Sequence, residues 1–210
     1  MEFEQVVRAR RMVRSYRPDR PVSREVLTRL LDLAVRAPSA GFSQGWDFVV
    51  LSTPEQVGRF WAATTEPDRE PDRWLRGMRT APALILCLSD RDAYLDRYAE
   101  PDKGWTDRDE ARWPVPYWDV DTGMASMIIL LAAVDAGLAG CFFGVPPTRT
   151  GTVREAFAIP SERRIVGVIS LGHPPEPGTD RRSPSLRRGR KPIEDVCHDG
   201  AFGSPFEREG

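Results

Sequence analysis

The chain has 210 residues, 40% of them hydrophobic and 29% charged, enough to bury one large core and ordinary for a globular protein. With 30 basic and 31 acidic residues the formal charge is −1; no global field draws the chain to nucleic acid or an anionic membrane, so any anion site must be local. Cys87, Cys141, Cys197, His173 and His198 stand at no zinc-ligand spacing, so no metal site is expected and reduced thiols suggest a cytoplasmic protein.

No apolar run follows the Met-Glu-Phe-Glu start, so no signal peptide is expected. Residues 8–20 are basic and close on Pro18 and Pro21. Ser23 has the chemistry of an N-cap. Behind it Val26, Leu27, Leu30, Leu31, Ala34 and Val35 recur at helical spacing, predicting an amphipathic helix that stops before Pro38. A short strand is expected over 47–51. Pro54 should open a second helix running to about Thr64, and 66–73 reads as a polar, proline-broken loop. The unbroken apolar run 82–88 suits a strand buried on both faces, with a helix over 90–98.

Residues 100–118 form a long polar stretch carrying Trp105, Trp113, Tyr117 and Trp118; loops of this length are usually functional or mobile. The longest apolar stretch, 124–134, is too short to span a bilayer and lies in the most apolar predicted helix, 120–138. Its small residues (Gly123, Ala125, Ser126, Ala132, Ala133, Ala136) allow another helix to come close, in a core or against a partner subunit. A short strand or turn over 140–145, a helix over 147–157 and a last strand over 164–171 follow; 173–210 is too polar for a core of its own and is expected as an arm over a neighbour. No Gly-x-Gly-x-x-Gly follows a first strand, so a Rossmann reading lacks its phosphate loop.

Four segments carry candidate chemistry. In Arg10-Arg11-Met12-Val13-Arg14-Ser15-Tyr16, a helix would put Arg10 and Arg14 on one face, where two guanidinium groups could grip a phosphate; a solvated basic helix start fits the spacing too. Ala37-Pro38-Ser39-Ala40-Gly41-Phe42-Ser43-Gln44-Gly45-Trp46 permits an unusual backbone path whose amides and hydroxyls can meet a planar polar ligand, or is simply a helix-ending connection. The glycines of Gly140-Cys141-Phe142-Phe143-Gly144 let backbone approach something flat, although both phenylalanines also suit a core. The basic tail from Arg187 to Lys191, including Arg188 and Arg190, suits phosphate capture or solvent.

In this order, the four segments resemble the nitroreductase family of FMN-dependent oxidoreductases. The carriers are Arg-Arg-x-x-Arg-x-Tyr from Arg10, Ala-Pro-Ser-x-x-x-x-Gln-x-Trp from Ala37, the small-residue helix 121–137, Leu171-Gly172-His173-Pro174, and the Arg-x-Arg-Lys-Pro tail from Arg188, spanning about residues 8–200. The resemblance implies an α+β sandwich, a mostly antiparallel sheet surrounded by helices, and a helix-mediated homodimer with FMN at the subunit interface. It implies one domain over 1–210, with a lid-like loop at about 100–119 and a C-terminal arm at about 173–210. It places Arg10, Arg11, Met12 and Arg14 near the FMN phosphate, with Arg188 and Arg190 from the tail. Pro38, Ser39 and Ala40 would line the ring from the other subunit, and Phe42 and Gln44 of the same segment are also expected to bind the cofactor. Cys141, Phe142, Phe143 and Gly144 would pass beside it, offering a backbone amide to flavin N5.

The activity implied is transfer of reducing equivalents from NAD(P)H to a nitroaromatic or quinone, without a catalytic side chain, since the flavin carries the hard chemistry. Trp105, Trp113 or Trp118 would stack on substrate or nicotinamide, or merely pin the loop. Met12 stands where family members commonly carry a small polar residue, Phe42 where many carry Asn, and Gly45 where Pro is frequent. Gly-Phe-x-Gln is similar to the branch that fragments FMN to dimethylbenzimidazole with oxygen, although that branch has an acidic residue at Met12. Oxygen-dependent fragmentation and a non-catalytic flavin or deazaflavin carrier are therefore the alternative expectations.

Overall fold

The computed structural model describes residues 1–66, 70–176 and 188–206. Its elements are α1 (Phe3–Ala9), α2 (Arg24–Ala34), β1 (Trp46–Leu51), α3 (Pro54–Thr64), α4 (Arg73–Met78), β2 (Ala83–Asp90), α5 (Arg91–Tyr98), α6 (Tyr117–Asp135), β3 (Ala139–Phe143), α7 (Thr150–Phe157) and β4 (Arg163–Gly172). The helix ends follow the capping chemistry in the sequence. The Ser23 side chain accepts from the Val26 amide at the start of α2. Thr53 and Gln56 form a reciprocal capping box with Pro54 just inside α3.

The four strands form one antiparallel sheet in the order β1-β2-β4-β3. Central β2 is buried along nearly its whole length, because successive side chains point to opposite faces and both faces are covered. Leu84, Leu86 and Leu88 enter a cluster with Phe60 and Trp61 of α3 and Val153 of α7. Ala83, Ile85 and Cys87 enter another with Leu27 and Leu30 of α2 and Ile129 and Ala133 of α6. A strand with two dry faces reads as an unbroken apolar run, which is how it stands in the sequence. Burial pushes the Cys87 thiol up to about 12, so it is a small apolar core residue at neutral pH.

Helix α6 is 19 residues long, which by length and composition would suffice to cross a bilayer. That is longer than the apolar stretch read from sequence. It packs on α2 and on β2, β3 and β4, the place of a core helix. Its sheet-side residues are buried, whereas Val120, Met124 and Met127 are exposed.

Two elements depart from expectation. The basic segment 8–20 is not a helix through Arg14: α1 ends at Ala9, and Met12 instead forms a parallel β-bridge with Gly140. The stretch expected to be loop to Arg73 gives way at that residue to α4, capped by Asp72; residues 67–69 lie outside the described set.

By contact density, residues 1–176 form one compact unit and 177–210 another. The described part of the second has a 3-10 turn at Ile193–Asp195 and a bridge between His198 and Pro205. Residues 177–187, including Arg187, lie outside the described set.

Gly58 sits inside α3 with open space where a Cβ would go. Gly58→Ala is therefore expected to raise unfolding stability by about 0.5–1 kcal/mol through helix propensity alone, seen as a higher urea midpoint at unchanged slope.

Candidate functional site

The free edge of the sheet brings two candidate segments together. The Val13 amide donates to the Gly140 carbonyl at 3.1 Å beside the Met12 bridge, so residues 10–16 lie along β3 as an extended chain. Tyr16 anchors this chain: its amide donates to Thr80 Oγ1 at 2.7 Å, and its hydroxyl donates to Val13 O at 2.6 Å and lies 2.7 Å from Ser170 Oγ. The Arg14 carbonyl oxygen would stand only 2.3 Å from a Cβ at Gly77, so α4 can back the chain this closely only through glycine.

Arg10 and Arg14 flank the bridge. Arg10 is half-buried, and its buried Nη1 has no hydrogen-bond partner among the described residues. Arg14 donates to Met12 O at 3.2 Å. Burial pushes the Cys141 thiol up, and the charge of Arg14 works against it, which puts this guanidinium within electrostatic reach of β3. Arg11 turns back and donates to the carbonyls of Arg8 and Arg10 at the end of α1. Met12 is exposed between them.

Strand β3 pairs with β4 on one side only. Residues at alternate positions present N–H and C=O to the same side. Since Gly140 O faces Val13, the Phe142 backbone also faces outward, away from β4. The Phe142 ring lies on Gly167, where a Cβ would meet its Cζ at 2.2 Å. Phe143 points to the other face and stacks on Trp61, with centroids 5.8 Å apart and planes within 9°. At Gly144 an added Cβ would meet nothing.

The second segment is a tight, unusual turn. Residues Ala40–Phe42 form a 3-10 turn, with φ of 62° at Gly41, 58° at Phe42 and 52° at Gln44. Positive φ at Phe42 and Gln44 costs of order 1–3 kcal/mol each and persists only when the surroundings impose it. The Gln44 amide donates to Ser39 Oγ at 3.0 Å, the Ala40 amide to Asp121 Oδ2 at 2.8 Å, and Arg97 Nε to Gly41 O at 2.9 Å. Gly41 lies against Tyr98, and at Gly45 the Tyr94 ring fills the space a Cβ would take, 2.4 Å away. Pro38 is exposed, Ser39 and Ala40 are half-buried, and Phe42 is 75% exposed. This turn leads into β1, the edge opposite β3, and three strand spacings put the two edges about 14 Å apart. Within one chain, therefore, the first and third segments meet and the second stands apart.

The loop between α5 and α6 is an aromatic cluster. Trp113 packs against Tyr94, Tyr98, Trp105, Tyr117 and Trp118, with centroids 4.6–5.9 Å away. Arg108 reaches Asp96 and Arg91 reaches Glu110, tying the loop to α5. These contacts pack the tryptophans against α5 and the start of α6. Arg188 and Arg190 are exposed in the second unit. No cluster of His, Cys, Asp or Glu among the described residues could hold a metal.

Sequence reasoning missed Asp121, which holds the Pro38–Gln44 turn, and the supports Gly77 and Thr80. Asp121 had a signal: a carboxylate inside the most apolar helix. Gly77 and Thr80 had none, because only the tertiary approach of residues 14–16 gives them a role.

The chain belongs to the Nitroreductase family, whose model matches residues 7–173. The 4-nitrobenzoate reductase of Nocardioides sp. strain LMS-CY is 33% identical, the match covering 81% of this chain and 80% of that one. A nitroreductase family protein from Clostridium difficile 630 has the same fold, with TM-score 0.68 at 21% identity over 96% of this chain and all of that one. So does a nitroreductase-like protein from Exiguobacterium sibiricum 255-15 solved in complex with FMN: TM-score 0.69, 24% identity, 94% and 96% coverage.

Proposed function

We propose that this chain is an FMN-dependent oxidoreductase, passing reducing equivalents from NAD(P)H to an electron-poor acceptor of nitroaromatic or quinone type. The observation that carries the reading is Arg10: a half-buried guanidinium beside the free edge of β3 whose buried Nη1 has no partner among the described residues. A buried donor left unpaired is costly, and a phosphate oxygen supplies the missing acceptor. The FMN complex of the Exiguobacterium protein and the name of the Nocardioides relative support the cofactor and the acceptor class.

In this reading Arg10 and Arg14 hold the phosphate, and Arg11 fixes the end of α1 beside them. Residues 141–144 lie along the flavin edge, where the outward-facing Phe142 backbone and the uncovered Gly144 leave room for a flat ring. Bound FMN would supply hydride chemistry; the chain orients it and keeps water out. The Cys141 thiol, raised by burial, stays protonated at neutral pH and takes no part.

The Pro38–Gln44 turn of the same chain stands at the far sheet edge. For it to line the ring a second copy must supply it, which favours a homodimer closed through α6. The exposed Val120, Met124 and Met127 recur at spacings of four and three, one stripe on that helix. The protein as purified should be yellow and dimeric. It should bleach anaerobically with NADH or NADPH and recolour with a nitroaromatic or a quinone; a yellow protein inert to both nucleotides would overturn the activity.

A further inference from the structure

A cavity of about 600 Å³ opens between the start of α3, the turn after α4 and the Pro18–Pro21 loop, and the reading above gives it no role. Its walls include Pro18, Pro21, Gly58, Trp61, Arg79 and Pro82. Rigid proline rings and an indole make flat apolar walls, and the volume falls in the range of small-molecule sites.

The charged residue of its lining is Arg79. Trp61 is 5% exposed and forms part of the wall, while its Nε1 is buried away from the cavity. Arg79 makes one long hydrogen bond, 3.4 Å to Thr65 Oγ1, and pairs with no carboxylate among the described residues. The Thr80 hydroxyl is spent, donating to Gly77 O and accepting from the Tyr16 amide. A lining that offers donors and positive charge selects a ligand rich in acceptors. Flat apolar walls select an aromatic body.

We propose that this cavity is a binding site for a small aromatic carboxylate, its ring among the prolines and Trp61 and its carboxylate on Arg79. A carboxylate accepts two parallel bonds from one guanidinium, and among the described residues Arg79 commits only Nη2, in one long bond. The site also touches the sheet edge: Trp61 carries Phe143 stacked on its other side, so an occupant can alter the packing behind residues 141–144.

The test is a fluorine NMR titration of the full chain with 4-fluorobenzoate, set against the neutral 4-fluorobenzyl alcohol. Saturable binding of the benzoate is expected. Binding of the alcohol, and binding of the benzoate to Arg79→Ala, should each be about tenfold weaker, the usual cost of a lost charge-assisted hydrogen bond. Gly58→Phe, at a position with no neighbour within 4 Å, should block the cavity and abolish the signal while the circular dichroism stays unchanged. Arg79 is exposed, so its variant keeps the proposal testable if Gly58→Phe folds poorly. Absence of saturable binding, full affinity in Arg79→Ala, or displacement of the probe by added FMN would each overturn the assignment. The last outcome would place the probe at the flavin site without touching the oxidoreductase reading.

Discussion

Arg10→Ala is expected to weaken FMN binding about 10–100-fold, the range for losing a charge-assisted hydrogen bond to a phosphate, and to leave riboflavin binding unchanged. Arg10 lies just outside the Met12–Gly140 bridge, with a buried Nη1 that nothing among the described residues satisfies. Its side chain makes no hydrogen bond among the described residues, so thermal stability should move little. Riboflavin lacks the phosphate and separates a charge effect from a collapsed pocket. Arg10→Lys should fall between, since an ammonium keeps the charge but not the planar fork. Fluorescence titration of the FMN-free protein with both ligands reads the result. Equal losses for FMN and riboflavin would mean that Arg10 shapes the edge of β3 instead of gripping phosphate.

That prediction rests on geometry the sequence only half disclosed. The elements with local causes were legible: the Ser23 cap, the Thr53–Gln56 box and the apolar run of β2, whose burial on both faces requires no partner to be known in advance. Residues 10–16 were not legible as an edge chain. Their conformation is set by Gly140, far along the sequence, and alternate arginines look the same in a basic helix. Helix α4 has six residues, too few for a periodic pattern. The candidate segments themselves were legible as motifs. Which of them share a surface depends on strand order, and strand order is a nonlocal property.

The cavity shows the same limit more sharply. Pro18, Pro21, Pro54 and Pro82 punctuate separate connections in the sequence and read as chain breaks. Only the fold gathers them around Trp61 and Arg79.

Asp121→Leu is expected to destabilise the fold by about 2–4 kcal/mol, as two buried donors lose one acceptor. Asp121 is 1% exposed, and its Oδ2 accepts from the Ala40 amide and the Tyr94 hydroxyl, each at 2.8 Å. Leucine matches the shape and helix preference of α6 but accepts nothing. Asp121→Asn keeps one acceptor oxygen and should cost clearly less. Burial first, and Asp121 second, raise the Tyr94 phenol above its ordinary range. A phenol whose folded pKa is raised holds its stabilisation below the unfolded value of about 10 and loses it as pH climbs above that. The wild type should therefore weaken above about pH 10, and Tyr94→Phe should flatten that alkaline limb. Urea midpoints at neutral and alkaline pH measure both effects. The Ala40 amide belongs to the strained turn, so Asp121→Leu should also release Phe42 and Gln44 from positive φ. A variant as stable as the wild type would show that this turn holds its shape without the carboxylate, leaving Ser39 and Arg97 to impose the strain.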